Sequence, residues 1–353
     1  MKKRVIGIRL AVVLIFALLL SGCSASGSAS ASSWTVEGMQ SFYRGKTIYL
    51  STNERPGSES ESVCRLTVPL FGDYTKATIV LQNKRSSGGV EGLNWVYERP
   101  DPYGLEIGEC VLLNLLLNKI TELPGANYDS DAFNYLFGIS SEKFVFMVKE
   151  GSKYQSIKDL QAASKLKFGG TSAQGPIALS TMSSAAILGL DAKVITGFGS
   201  TGELILSILS GELDGVCVPI HLASSADGVK VLFTLSSERD PIFPDVPALT
   251  ELMDVPADKQ DLFELWNSLL LQSHIFFTSP KVNTDNLEFL RGMAGAVAGN
   301  EILLSDISRL LSLPIVPGDV ISGEKMQAIV ADTMKNASRI KSILEDVIKK
   351  YRA

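Results

Sequence analysis

The sequence predicts an α/β fold built as two domains, on three observations. Short runs rich in β-branched and aromatic residues, such as Thr47-Ile48-Tyr49-Leu50, Ala77 to Gln82 and Phe144 to Lys149, alternate with stretches of helical period. Several strands run through Gly or Pro straight into a helix start: Thr47 to Leu50 into Arg55-Pro56-Gly57, Leu166 to Gly170 into Thr171 to Pro176, and Lys193 to Ile195 into Gly197 to Glu203. At 353 residues and 45% hydrophobic, the chain can bury a large core, and that length suits two domains.

The chain opens on a leader. Lys2, Lys3, Arg4 and Arg9 flank or precede an apolar run, Leu10 to Leu20, too short to span a bilayer comfortably, and small residues follow. Residues 1–22 therefore read as a signal peptide, and Leu20-Ser21-Gly22-Cys23 resembles a bacterial lipobox, which places the lipid on Cys23. The Ser/Ala/Gly run 24–33 then has nothing to pack and reads as a tether. Such linkers reach roughly 5–6 Å times the square root of their length, so the body stands just off the membrane. The formal charge is −5 overall, and losing the four leader cations takes the mature chain to −9. Nucleic acid, which demands a basic footprint, is excluded as a partner. Cys64, Cys110 and Cys217 remain after Cys23, allow at most one disulfide, lack metal-ligand spacing and read as buried thiols.

In order, residues 34–46 read as an irregular lead-in. The first strand gives way to a helix whose Ser58 and Glu61 have capping-box spacing, with Val63, Leu66 and Leu70 as its apolar side. After the second strand come a turn, 83–89, and a helix bearing Leu93, Val96 and Tyr97, stopped by Pro100 and Pro102. A strand at 105–108 and an apolar helix at 111–120 follow, and the strand Phe144 to Lys149 leaves the first domain. Ser156 opens a short helix. Pro176 takes the first helical position after the strand at 166–170, and Ser200 with Glu203 repeats the capping box after 193–195, with Gly211 closing that helix. Further strands are expected at 213–218, 231–235 and 275–278, the last returning to the first domain. The remainder reads as helix, with a stripe from Ile329 to Ile348 that packs rather than spans a membrane. The domains expected are 47–143 plus 273–353, and 144–272, after a tether and lead-in at 23–46.

Taken together, the turns resemble the solute-binding receptors of tripartite tricarboxylate transporters, the Bug receptor family, over residues 47–351. That family's ItlVVPFaAGGgtDtvAR falls ungapped on Ile48 to Arg65, and NRPGAGGNIG falls on Asn83 to Gly92, keeping Asn83, Gly88, Gly89 and Gly92. PDGYTL resembles Pro100 to Leu105, GSAGVGSSTHL falls on Gly169 to Leu179, and LLGGxVD resembles Ile208 to Asp214. PDVPTvaE is matched by Pro244-Asp245-Val246-Pro247 with Glu251, and Arg239 stands at the family's Arg. The resemblance implies a type II periplasmic-binding-protein fold: two α/β domains joined by crossing strands, with a ligand cleft between them. It implies a lipid-anchored extracytoplasmic receptor that passes a small carboxylate solute to integral membrane transporter subunits, without a cofactor and as a monomer.

The site expected is a set of helix-start turns offering N–H groups and hydroxyls to an anion. Its candidates are Glu54, Gly57, Ser58, Glu59 and Ser60, then Ser87 and Gly88, then Thr171, Ser172, Gln174, Ser200 and Thr201. Where the family has an apolar first loop this chain has three acids. Glu61 reads as a cap, Glu59 as a solvated first-turn acid or a site residue, and Glu54 as a carboxylate at the cleft edge that either repels an anion or receives a solute's positive end. Ala178 replaces the family's His. The chain's two histidines, His221 and His274, lie in apolar segments, read as satisfied core residues and form no hydrolase triad, so catalytic residues and metal ligands are expected to be absent. A receptor serving an ABC-type or sensory membrane partner would share this fold and tether.

Overall fold

The structure, a computed structural model, describes residues 34–84, 89–139, 143–269 and 274–353. Cys23, Ser87 and Gly88 lie outside the described residues, as does the leader. Val36 to Ala353 form one compact unit, and among the described residues no helix is long and apolar enough to cross a membrane.

The lead-in is a helix, α1 (Val36–Tyr43), because Met39 and Tyr43 find a core to enter. The first strand, β1 (Thr47–Thr52), passes into α2 (Glu59–Thr75), then β2 (Thr78–Asn83), α3 (Val90–Glu98), β3 (Glu106–Val111), α4 (Leu112–Ile120) and β4 (Asn134–Ile139). The chain continues through β5 (Phe144–Lys149), α5 (Ile157–Ala162), β6 (Leu166–Gly170), α6 (Pro176–Ile187), β7 (Ala192–Thr196), α7 (Thr201–Ser210), β8 (Val216–Pro219), α8 (Ile220–Ser224), β9 (Val229–Thr234), α9 (Leu249–Leu252) and α10 (Gln260–Leu269). It ends with β10 (His274–Thr278), α11 (Thr284–Arg291), α12 (Met293–Ala298), α13 (Glu301–Leu311), β11 (Val320–Ser322), α14 (Gly323–Lys335) and α15 (Ala337–Tyr351).

The first sheet has the order β11-β4-β10-β3-β1-β2. β1 runs parallel to β2 and β3, so their carboxyl ends share one edge. β10 is antiparallel to β3, with His274 opposite Val111, so its first residue lies on that same edge. The second assembly is β8-β5-β9 with β6-β7 beside it, joined by a parallel bridge between Phe168 and Gly215. β6, β7 and β8 thus present their carboxyl ends together. The chain crosses between the assemblies after β4 and returns into β10. One apolar cluster runs beneath both, including Tyr135, Phe146, Phe168, Met182, Trp266 and Phe277.

Several expectations need correcting. The buried face of α2 is Ser60, Val63, Cys64, Thr67 and Phe71, rotated from the Val63–Leu66–Leu70 stripe because the sheet meets the helix on its small-residue side. β4 and β11 are strands that the sequence reading passed over. The 329–348 stripe is two helices broken at Asn336, and α15 lies on α6, α10 and β7 of the second assembly as well as on α4 of the first.

Candidate ligand site at the facing strand edges

The first turn is held by its own side chains. Gly57 has φ of +77°, a left-handed conformation that glycine adopts without strain. Ser58 caps α2: its Oγ accepts the N–H of Glu61 at 3.3 Å, while Glu61 Oε2 accepts that of Gly57 at 3.2 Å and the carboxylate pairs with Arg65. The box therefore closes one residue earlier than its ideal form, on Gly57 rather than Ser58. Ser60 is buried in the first turn. The positive end of a 17-residue helix faces outward here. Glu54 is half-buried, and its carbonyl accepts from Asn83 Nδ2 at 3.0 Å.

Across the cleft, Gly197 N donates to Thr171 O at 3.1 Å, which sets the turns after β6 and β7 side by side. Gly175 N donates to Ser172 O at 3.2 Å, and Pro176 begins α6 as expected. Ser200 caps α7 through Glu203 N at 3.3 Å, while Glu203 Oε2 accepts Gly199 N at 2.7 Å. Ser172 and Gln174 are exposed; Thr171, Ser200 and Thr201 are half-buried. Ala178 is buried directly against Gly170, where a Cβ would lie 2.5 Å from that of Ala178.

What joins the two edges is Glu59, a candidate from the sequence, with His221, which the sequence assigns to the core. Glu59 Oε2 lies 2.9 Å from His221 Nε2, just beyond β8, and Glu59 Oε1 lies 3.5 Å from His274 Nε2. His274 Nδ1 meets Glu109 Oε1 at 2.9 Å, and Glu109 Oε2 accepts from Thr52 Oγ1 at 2.8 Å. Glu59 is thus not a solvated first-turn acid; His274 is the buried, bonded core histidine expected, whereas His221 is half-buried and bonds across to Glu59. Burial works against the charge on His274, but hydrogen bonds to Glu109 and Glu59, backed by their charges, raise it to about 10. Burial likewise opposes ionisation of Glu59, and the hydrogen bonds to His221 and then His274 carry its carboxyl far below the usual range. The sequence signal is positional: each histidine abuts the end of an apolar strand, His221 just after β8 and His274 at the start of β10.

The structure brings Gly57 to Ser60 together on one side and Thr171 to Gln174 with Ser200 and Thr201 on the other, with Glu59 reaching between them. The Arg239–Glu251 pair of the PDVP stretch is a clasp instead. Arg239 Nε and Nη2 grip the carboxylate at 2.8–3.1 Å, Nη1 donates to Pro244 O at 2.9 Å, and the guanidinium brings Glu251 down to about 2. Cys64, Cys110 and Cys217 are free, buried thiols, and burial pushes Cys217 up to about 12. Among the described residues no group of three His, Cys, Asp or Glu side chains is arranged to hold a metal ion.

No family model matches the chain, and no curated protein matches it. Its fold has solved counterparts. A TctC solute-binding protein from Polaromonas, without ligand, matches with a TM-score of 0.66 at 15% identity, over 87% of this chain and 99% of its own. MatC from Rhodopseudomonas palustris, with bound malate, matches at 0.59 and 18% identity, over 86% and 99%. Another R. palustris protein, solved with adipate, matches at 0.63 and 14% identity, over 88% and 99%. The chain has the two-domain α/β fold of these proteins, the first of which is a solute-binding protein.

Proposed function

We propose that the chain is an extracytoplasmic receptor, anchored by lipid at Cys23, that captures a small carboxylate solute between its lobes and delivers it to the integral membrane subunits of a tripartite tricarboxylate-type transporter. The lobes are 47–143 with 273–353, and 144–272, with α15 laid across both. The observation that carries this reading is the meeting of two sets of strand carboxyl ends at Glu59 and His221, because ligands of open α/β sheets bind outside those ends. In this reading the donors for the anion are the amides of Glu59 and Ser60 in the turn that begins at Gly57, the hydroxyls of Ser58, Thr171, Ser172, Ser200 and Thr201, and the amide of Gln174. A hydroxyl that accepts at a helix cap, as Ser58 and Ser200 do, still carries its own O–H to donate. The malate and adipate in two counterparts of this fold suit such donors.

Native mass spectrometry of the full chain, extracted from membranes in mild detergent, tests the reading. A small organic acid released on unfolding is the expected result, and a neutral or purely cationic cargo would overturn it. Cys23→Ser is expected to move the protein to the soluble fraction; retention after a carbonate wash would rule out the lipid anchor.

A further inference from the structure

We propose that Glu59 is an internal stand-in for a solute's carboxylate: in the empty receptor it bonds His221 across the cleft and holds the lobes together, and it retires to His274 when a solute carboxylate takes its place on His221. This rests on the reading of the chain as a carboxylate receptor. Glu59 occupies the first turn of α2, where the helix dipole and exposed amides favour negative charge. A glutamate reaching out from that point is chemically what a bound carboxylate would be. It reaches the other lobe, 2.9 Å from His221 Nε2, and its side chain is 36% exposed against 11% for the imidazole, so a dissolved anion gains His221 as Glu59 swings aside.

The second seat is already built. His274 Nε2 is fully buried and meets Glu59 Oε1 at 3.5 Å, the outer limit of a hydrogen bond, while Nδ1 is held by Glu109 at 2.9 Å. A buried imidazole held only at that limit gains from a small rotation of Glu59 toward it. His274 belongs to β10, in the same sheet as the β1 that feeds α2, so this seat travels with Glu59 when the lobes part. The solute brings one further negative charge, which His221 takes, and Glu59 and Glu109 then share His274. Glu59 from α2 and Glu109 from β3 face His221 from α8 and His274 from β10, with Glu54 at the lip; a solute carboxylate on His221 leaves Glu59 beside His274. The persistent charge on His274 supports the exchange. The solute expected carries one carboxylate toward His221, with the rest of the molecule toward Thr171 to Gln174.

The test uses the full chain in lipid nanodiscs, with dyes on Asp73→Cys and Lys158→Cys, two exposed positions, one on each lobe. In the solute-free protein, Glu59→Gln and Glu59→Ala are expected to separate the dyes, and His221→Gln to do the same. With succinate as probe, Kd is expected to fall at least tenfold in Glu59→Ala, and the gain to vanish when His221→Gln is added. Unchanged dye separation in both Glu59 variants overturns the latch. Separation without tighter succinate binding overturns the exchange. If succinate, malate and adipate bind neither wild type nor variant, the carboxylate reading fails and takes the exchange with it, while separated lobes still uphold the latch.

Discussion

The imidazole of His274 sits inside the first sheet with Glu109 on one nitrogen and Glu59 facing the other. Its folded value of about 10 lies above the ordinary 6.5, so the folded chain holds a proton the unfolded chain has lost between those limits. That contribution to stability is fully present below pH 6.5 and drains away as pH rises toward 10. Glu59 runs the other way. Its folded value lies below the ordinary 4.5, so its contribution is present above that pH and is lost as pH falls. Stability measured by urea unfolding is therefore expected to be greatest between about pH 4.5 and 6.5 and to decline on the alkaline side. His274→Gln should flatten that alkaline limb; a limb that persists in the variant would assign it to other groups. None of this was legible locally. A glutamate one residue past a serine cap looks like any acid complementing a helix dipole, and its partners come from β10 and α8, remote in sequence. Glu61, whose partners lie within four residues, was read correctly as a cap for that reason.

Helix starts and glycine approaches can be tested one element at a time. Ser58→Ala and Ser200→Ala each remove the acceptor for an N3 amide, and each is expected to cost about 1 kcal/mol of unfolding free energy, within a range of roughly 0.5–2. Gly170→Ala acts differently: its new Cβ would lie 2.5 Å from Ala178 Cβ and 2.8 Å from Ala178 Cα, so β6 and α6 must shift apart. Overpacking of that kind costs roughly 1–3 kcal/mol. Urea titrations of the three variants check both figures, and a neutral Gly170→Ala would mean that the β6–α6 packing yields freely. The capped elements were legible because Ser-x-x-Glu, Pro at the first position and Gly at the end are local chemistry. β4 was not: Tyr135 to Ile139 is buried throughout, so it lacks the alternation that marks a half-exposed strand. β11, three residues long, exists only by pairing with β4.

At the scale of the whole molecule, the two assemblies share a strap. α15 buries Ile340, Leu344, Val347 and Tyr351, packing on α6, α10 and β7 on one side and α4 on the other. Lys341 Nζ bonds Glu122 Oε2 at 2.6 Å, just past α4, and Arg339 pairs with Asp261 on α10, so each assembly holds the helix by an ion pair. The end of the chain is fixed as well: Tyr351 Oη donates to Ala185 O at 3.2 Å, and Ala353 N to Val194 O at 3.1 Å. Four buried side chains at roughly 1.5–3 kcal/mol each come to roughly 6–12 kcal/mol, as large as the whole stability of an ordinary domain, roughly 5–15 kcal/mol. Ending the chain at Asn336 is therefore expected to abolish cooperative unfolding and near-ultraviolet circular dichroism while leaving helical signal. Tyr351→Phe, which loses one hydrogen bond and no apolar contact, should cost only about 1 kcal/mol. If the truncated protein instead melts in one sharp transition, the two assemblies cohere without the strap, and the joining must be assigned to the strand crossings and to Glu59 with His221.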